Sequence, residues 1–295
     1  MGISISYGEM VALLCAFVWA VSTLVVRTQS QKVPPALMNG IRCAVAGALF
    51  WMLLPFGPPL STYGAVTGTE WLLLLGGLTI GVAVGDTIFL ASIKEMGVSR
   101  SMPLAGTHPL TTMFFEWVFL GNPFSPTFLL GSCCVVLGVV LLSGREEETQ
   151  MGAEVRVKLG VTLALFAASL WGVSTVMLKP AIAHMTVVQA NSVRMPAVAL
   201  LLFATRAWTG PVMRLRDLDR RTLLIVAGSG AFGMGLGSML FLKSIELVGP
   251  AKTATLAATC PVFAVIMAVA FLKEKMTLRV ASGGLLCLAG VYLVL

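Results

Sequence analysis

Three ionisable side chains lie deep inside apolar stretches of the sequence: Arg42, Asp86 and His108. An ionisable group in hydrocarbon is costly unless it is paired or faces water, so these residues are candidates for proton or ion chemistry. At 1.5 Å per helical residue, each lies about 10 to 13 Å from the same predicted edge of the apolar layer. The sequence predicts a buried Arg–Asp–His cluster that could carry a proton. The alternative is a structural Arg42–Asp86 pair, with Arg42 reaching the lipid headgroups.

The second half of the chain carries a different set at the corresponding positions. Arg194 corresponds to Arg42, but Ser238 and Cys260 stand where the first half has its carboxylate and imidazole. Proton coupling, if it exists, is therefore expected in the first half alone. Glu116 lies about 6 Å from the end of its apolar stretch, and we expect it to reach the surface or cap a helix rather than titrate.

The spacing Trp-x-x-Ser-Thr occurs twice and places its three side chains on one helical face. We call these two sets the Trp19 stripe (Trp19, Ser22 and Thr23) and the Trp171 stripe (Trp171, Ser174 and Thr175). A tryptophan near the middle of an apolar layer can stack on a solute or donate a hydrogen bond to it. We expect Trp19 and Trp171 to face each other across a solute cavity, with Trp19 contributing more to affinity; close helix packing is the alternative. The predicted solute-binding residues are Trp19, Ser22, Thr23, Asn39, Trp171, Ser174, Thr175, Asn191 and Ser238.

Proline and glycine interrupt the apolar stretches at matching positions of both halves. Pro109 and Pro261 cannot donate hydrogen bonds to the carbonyl groups four residues earlier, at Ala105 and Ala257. Carbonyl groups freed in this way could bind a solute, and a harmless kink is the alternative. Two Gly-x-x-x-Gly pairs are expected to allow close helix packing rather than chemistry: Gly81 with Gly85, and Gly233 with Gly237.

Composition places the elements that carry these residues in a membrane. Of 295 residues, 57% are hydrophobic and 11% are charged, whereas soluble domains are about one quarter charged. The six cysteines form no C-x-x-C pair and have no Cys/His spacing suited to zinc, so we expect no disulfide, metal or cofactor. The basic residues are scattered singly between apolar runs, which argues against nucleic-acid binding despite a net charge of +7.

Apolar runs of about 20 residues predict an all-α integral membrane protein with ten transmembrane helices. The predicted spans are 7–26, 35–54, 70–93, 99–120, 126–143, 157–178, 187–206, 221–243, 250–272 and 278–295. Lys and Arg lie mostly in the links opposite the termini, and the positive-inside rule then places both termini outside the cytoplasm.

The two halves of the chain are related by one constant offset. The stripe at Trp19 recurs at Trp171, and 171 − 19 = 152. The same shift aligns Asn39 and Arg42 with their counterparts in the second half, and further matches extend across all five helices. Five spans per half is an odd number, so the second repeat must be inverted relative to the first. We predict a first repeat at 1–143, a charged linker at 144–156 and a second repeat at 157–295.

These segments resemble the drug/metabolite transporter superfamily in its EamA-type, two-repeat form. The resemblance lies in Gly85–Asp86–Thr87 through Pro109, in Gly131 to Gly138, and in the matching second-half segments. An acidic residue typically follows the fourth span of each repeat in that family; Glu274 fits this pattern, whereas the first repeat has Asn122. The resemblance implies a carrier of small metabolites or drugs, with both termini usually inside.

We therefore expect a secondary active or facilitative transporter, exporter or importer, that works by alternating access. If transport is coupled to protons, Asp86 and His108 are the candidates for that coupling. The alternatives are an intramembrane enzyme using Asp86, His108 and Glu116, and a non-transporting membrane scaffold. The expected partners are a small-molecule solute and membrane lipid, but no nucleic acid. We expect a monomer or homodimer as a multi-pass protein of the cytoplasmic, or inner, cell membrane.

Overall fold

The computed structural model describes residues 5–29, 32–96, 98–142, 157–208, 217–272 and 277–295, and the regular structure within these ranges is helical. Seven helical segments are long and apolar enough to cross a bilayer, and two shorter helices are also apolar. The chain is a multi-pass, all-helical membrane protein. The predicted linker at 144–156 and Glu274 lie outside the described residues.

The first half contains α1 (Tyr7–Arg27), α2 (Pro35–Leu53), α3 (Gly68–Leu78), α4 (Asp86–Met96), α5 (Val98–Ala105), α6 (His108–Leu120) and α7 (Pro126–Leu142). The second half contains α8 (Val157–Ala181), α9 (Val187–Trp208), α10 (Arg220–Ser229), α11 (Gly237–Val248), α12 (Pro250–Ala257), α13 (Cys260–Leu272) and α14 (Leu278–Val294). The π-helical turns π1 (Thr79–Gly85) and π2 (Gly230–Leu236) join α3 to α4 and α10 to α11.

Polar residues at the apolar boundaries start these helices. Ser6 and Glu9 form a capping box at α1, and Thr67 and Glu70 form another at α3. These side chains satisfy backbone amide groups that have no partner within the helix. Gly121 adopts φ 69° and ends α6, a backbone conformation that glycine tolerates best.

The last helices of the two halves, α7 and α14, pack through glycines arranged reciprocally. A Cβ atom on Gly131 would lie 2.8 Å from the backbone oxygen of Gly290, and one on Gly138 would lie 2.7 Å from that of Gly283. Because the partner number falls as the residue number rises, the two helices are antiparallel. Glycine allows this close approach between backbones.

Contacts elsewhere are also exchanged between the halves. Helix α1 packs on α11, and its counterpart α8 packs on α4. Helix α2 packs on its own counterpart, α9, and Pro196 fills the space that a side chain on Gly47 would need. Such reciprocal packing is that of two halves related by a pseudo-two-fold axis.

Candidate functional site

Two tryptophans make crossed contacts, each with the opposite half of the chain. Nε1 of Trp19 donates a hydrogen bond to the backbone oxygen of Gly233 at 3.1 Å. Nε1 of Trp171 lies 3.2 Å from the backbone oxygen of Gly81 and 2.9 Å from Oδ1 of Asp86. Since 233 − 81 = 152, the same backbone contact is made twice. The extra bond to a carboxylate is made in the first half alone.

The serines of the same stripes repeat this crossed pattern. Oγ of Ser22 donates to the backbone oxygen of Ser229 at 3.3 Å, and Oγ of Ser174 donates to that of Gly77 at 2.7 Å. A Cβ atom on Gly81 would lie 2.5 Å from Oγ of Ser174, so a larger residue there would push the stripe away. This is the close helix packing that the sequence predicted for the glycine pairs.

The turns π1 and π2, which accept the two tryptophan hydrogen bonds, could not be recognised from the sequence. In a π turn the backbone bonds run from i to i+5, and such turns inside α-helices occur frequently at functional sites. Both turns contain glycine, and Gly81 and Gly85 recur as Gly233 and Gly237 at the constant offset of the repeat. That repetition was the available signal, but Gly-x-x-x-Gly spacing alone does not distinguish a π turn from straight packing.

A cavity of about 190 Å³ lies beside the Trp171 stripe, which faces α4 and α6. The carboxylate of Asp86 and the imidazole of His108 both contribute to its wall. The His108 ring meets the indole of Trp171 edge-on, with centroids 6.4 Å apart, and the Phe89 ring lies 5.2 Å from the same indole. The lining residues are Gly81, Val82, Asp86, His108, Trp171, Ser174 and Thr175.

Trp19 is not among the residues that line this cavity, and its ring packs on Phe241 at 5.1 Å. The structure therefore does not show the predicted arrangement, in which Trp19 and Trp171 both face one cavity. The reason is the crossed pairing: the first helix of each half reaches the third helix of the other. Trp171, and not Trp19, reaches the carboxylate.

The predicted helix breaks coincide with Pro109 and Pro261. Helix α5 ends at Ala105 before α6 begins, and α12 ends at Ala257 before α13 begins. The proline nitrogens cannot bond the carbonyl groups of these two alanines.

The expected pair between Arg42 and Asp86 is wrong. Nη1 of Arg42 donates to Oδ1 of Asn39 at 3.1 Å, and Nη2 donates to Oγ of Ser22 at 3.0 Å. Among the described residues, Arg42 makes no ion pair with a carboxylate. Similar depth did not bring the two groups together, because Arg42 points to α1 and π2 while Asp86 points to α8. Only Asp86 and His108 of the predicted cluster share a cavity.

The second half repeats the arginine arrangement. Nη1 of Arg194 donates to Oδ1 of Asn191 at 3.2 Å, as Arg42 does to Asn39. Each asparagine lies one helical turn before its arginine and orients the guanidinium group. The motif Asn-x-x-Arg is therefore built identically on α2 and α9.

The remaining predicted residues bond their own helices or lie exposed. Oγ1 of Thr175 donates to the backbone oxygen of Trp171 at 2.8 Å, and Oγ of Ser238 donates to that of Gly235 at 3.2 Å. Thr23 is exposed. Thr175 contributes to the cavity wall, whereas Thr23 and Ser238 do not.

Glu116 caps a helix, as the sequence favoured. Its Oε2 accepts a hydrogen bond from the backbone nitrogen of Ala251 at 2.5 Å, and Oε1 accepts one from Nδ2 of Asn122 at 3.0 Å. A carboxylate is stabilised at a helix N-terminus, here that of α12. Glu116 lines a different cavity from Asp86 and His108, so the three residues of the enzyme alternative do not converge.

Comparison with known proteins gives a consistent result across the chain. The sequence pattern of the EamA-like transporter family matches residues 6–144 and 158–295. An uncharacterized transporter of Archaeoglobus fulgidus is 24% identical over 97% of both chains, and the uncharacterized transporter YvbV of Bacillus subtilis is 23% identical over 96% of this chain and 90% of its own. One crystal structure superposes with a TM-score of 0.81 at 18% identity, covering 99% of this chain and 98% of the other. That last likeness concerns the fold alone.

Proposed function

Because this chain belongs to the EamA-like transporter family, we propose that it carries a small metabolite or drug across the membrane by alternating access, as an exporter or importer. Its ten spans form two inverted five-helix repeats, with boundaries near 1–143 and 157–295. The cytoplasmic, or inner, cell membrane is the proposed location, and the working unit is a monomer or homodimer in membrane lipid. This function involves neither catalysis nor nucleic acid.

The observation that carries this proposal is the reciprocal contact between each first helix and the opposite third helix. Trp19 and Trp171 hold the two halves together at equivalent backbone positions, one on each side of the pseudo-two-fold axis. An inverted repeat can exchange the conformations of its halves, so a site between them opens alternately to either side. The π turns and the breaks before Pro109 and Pro261 are where the backbone can rearrange at least cost.

The solute site in this proposal is the cavity beside Trp171. Its volume of about 190 Å³ is below the roughly 300 Å³ of pockets for drug-sized ligands, which favours a small solute. The indole offers a face for stacking, and Asp86 offers a carboxylate that makes no ion pair among the described residues. Such a carboxylate can exchange a proton with a solute or with water, and His108 lines the same space.

Flux measured in proteoliposomes tests the function without knowledge of the solute. Purified protein is reconstituted, exposed to a defined mixture of acidic, basic and neutral metabolites, and the trapped contents are identified by mass spectrometry. We expect some solutes to accumulate or exchange faster than in liposomes that carry heat-denatured protein. Equal contents in both preparations, with correctly folded protein in the bilayer, would contradict the carrier function.

A further inference from the structure

Three buried side-chain nitrogens lack a hydrogen-bond partner in the described part of the chain: Nε of Arg42, Nε of Arg194 and Nδ2 of Asn191. All three belong to the two Asn-x-x-Arg motifs. A buried polar group without a partner is destabilising, and a charged group more so, because its hydration is lost and not replaced. The described residues supply no acceptor for these donors, so a bound group that carries acceptor oxygens would satisfy them.

The charges within the membrane point to the same requirement. Arg42 and Arg194 each lie seven residues inside their predicted spans, at mirror depths from opposite faces. Neither makes an ion pair with a carboxylate in the described ranges, and Asp86 is bonded to Trp171 instead. Two guanidinium groups and one carboxylate leave an excess of one positive charge, since 2 − 1 = 1. Uncompensated charge at this depth is costly, and a bound anion removes that cost.

The two guanidinium groups lie on either side of one helix contact. Helices α2 and α9 pack together, and the buried Cys43, the residue after Arg42, lies near both guanidinium groups. Oδ1 of each asparagine holds Nη1 of its arginine. With Nη1 fixed in this way, Nε is left free for an acceptor on the other edge of the planar group.

We propose that the motifs Asn39–Arg42 and Asn191–Arg194 bind an oxyanion, and that the carried solute supplies it, for example as a carboxylate. Neither motif lines the cavity beside Trp171, so the motifs bind the acidic group at a different stage of the transport cycle from that cavity. This inference rests on the proposed carrier function and narrows its substrate class to solutes with an acidic group. Because the two motifs lie at equivalent positions of the repeats, each half of the carrier has one oxyanion-binding motif. The anion is then held by Arg42 when one half closes and by Arg194 when the other half closes.

Thermal unfolding of the purified protein in detergent tests the anion site independently of transport. The probes are acetate and inorganic phosphate, with acetamide as the neutral analogue of acetate and chloride as a simple anion, at constant ionic strength. Acetate, phosphate or both should raise the melting temperature in a saturable manner, whereas acetamide should not. The pair also separates a carboxylate site from a phosphate site. An equal response to chloride, or no response to either oxyanion, would overturn the proposal.

Substitutions of Arg42 and Arg194 test whether these two residues bind the oxyanion. Arg42→Lys and Arg194→Lys keep the charge but lose the planar guanidinium and its Nε donor, so each should raise the half-saturating oxyanion concentration about tenfold or more. Arg42→Gln and Arg194→Gln should abolish the response while melting at or above the temperature of the anion-free wild type, since they remove an uncompensated charge. Arg221→Gln changes an exposed arginine and should respond as the wild type does. Lysine variants that bind as tightly as wild type would show that Nε plays no part.

The flux experiment separates this inference from the carrier function. Solutes that accumulate in proteoliposomes should share an acidic group, and acetate or phosphate should compete with them. Accumulation of solutes without any acidic group would overturn the oxyanion site and leave the carrier function intact. Saturable anion binding without any flux would support the oxyanion site and contradict the carrier function.

Discussion

Among single residues, Asp86 gives the most direct test of proton coupling. Asn in place of Asp86 keeps an oxygen that can accept the hydrogen bond from Trp171, so we expect the variant to fold. It cannot bind and release a proton, and Asp86→Asn should therefore abolish accumulation driven by a pH gradient while leaving exchange of the solute largely unchanged. Uptake with and without a pH gradient in proteoliposomes measures both quantities.

The matched control for Asp86 is Glu246→Gln, which removes an exposed carboxylate paired with Lys243 at 2.9 Å. It should leave both accumulation and exchange as in the wild type. If Asp86→Asn still accumulates solute against a gradient, Asp86 serves only to hold Trp171.

The two tryptophans should contribute unequally to solute affinity, in the order opposite to that predicted from sequence. Trp171 lines the cavity and bonds Asp86, whereas Trp19 lies outside that cavity and donates its hydrogen bond to the backbone of Gly233. Trp171→Ala should weaken affinity by about 1 to 3 kcal/mol through lost stacking or cation contact, and Trp19→Ala by less. Both substitutions should lower the melting temperature, because each leaves a cavity. Equal losses of affinity would contradict the assignment of the site to Trp171.

Sequence reasoning identified two ionisable residues of the cavity wall but not the three-dimensional arrangement around them. Asp86 and His108 could be named because ionisable residues are rare in apolar helices, and their cavity exists. The error concerning Arg42 arose because depth along a helix was known but rotation about its axis was not. Two groups at equal depth can point to different neighbours: Arg42 bonds Asn39 and Ser22 of its own repeat, whereas Asp86 bonds Trp171 of the other.

At the scale of helices, the contact between α7 and α14 predicts a strong dependence on glycine. Gly138→Ala would place a Cβ atom 2.7 Å from two backbone atoms, the nitrogen of Cys287 and the oxygen of Gly283. Backbone atoms cannot rotate away as side chains can, so the helices must separate. We expect a loss of about 1 to 3 kcal/mol in stability, measured as a lower melting temperature of the purified protein.

The partner helix α14 supplies the control at Gly284, the residue after Gly283. A Cβ atom on Gly284 would meet no atom within 4 Å, and alanine favours a helix over glycine. Gly284→Ala should therefore leave the melting temperature unchanged or slightly raised. If Gly284→Ala lowered the melting temperature as much as Gly138→Ala does, α14 would tolerate no change on either face.

Helix positions were largely predictable because apolar runs, capping residues and prolines act locally. The break between α5 and α6 follows from Pro109, whose missing donor does not depend on tertiary contacts. The turns π1 and π2 were not predictable in this way. Each turn accepts a hydrogen bond from a tryptophan of the opposite half, 90 residues away in sequence for π1 and 214 for π2. A local sequence pattern does not identify such distant partners.

For the molecule as a whole, the distribution of charge predicts the orientation in the membrane. Described basic residues on the side opposite the termini include Lys32, Arg100, Lys158, Arg220, Arg221 and Arg279, against Lys179, Lys243 and Lys252 on the side of the termini. The positive-inside rule places the termini outside the cytoplasm, whereas the resembled family usually has them inside. A tag at residue 1 should be cleaved by protease added to intact cells. Protection of the tag, with cleavage after lysis, would reverse the orientation.

The repeat was the most informative property of the sequence at this scale. A single offset aligned the two halves, and the predicted odd number of spans per half led to the prediction of an inverted repeat. The crossed contacts of Trp19 and Trp171 are a consequence of that inversion, but their partners could be identified only in three dimensions.

One contact between α7 and α14 has a bearing on the ancestry of the chain. Sγ of Cys287 lies 3.4 Å from the backbone oxygen of Val135, and 287 − 135 = 152, so the two residues occupy the same position in the two repeats. In a dimer of identical five-helix subunits, a residue on the two-fold axis touches its own copy and must fit against itself. Duplication and fusion of such a subunit remove that restriction. Each copy can then change alone, which is how a valine can face a cysteine here and a carboxylate can be present in one half without a twin.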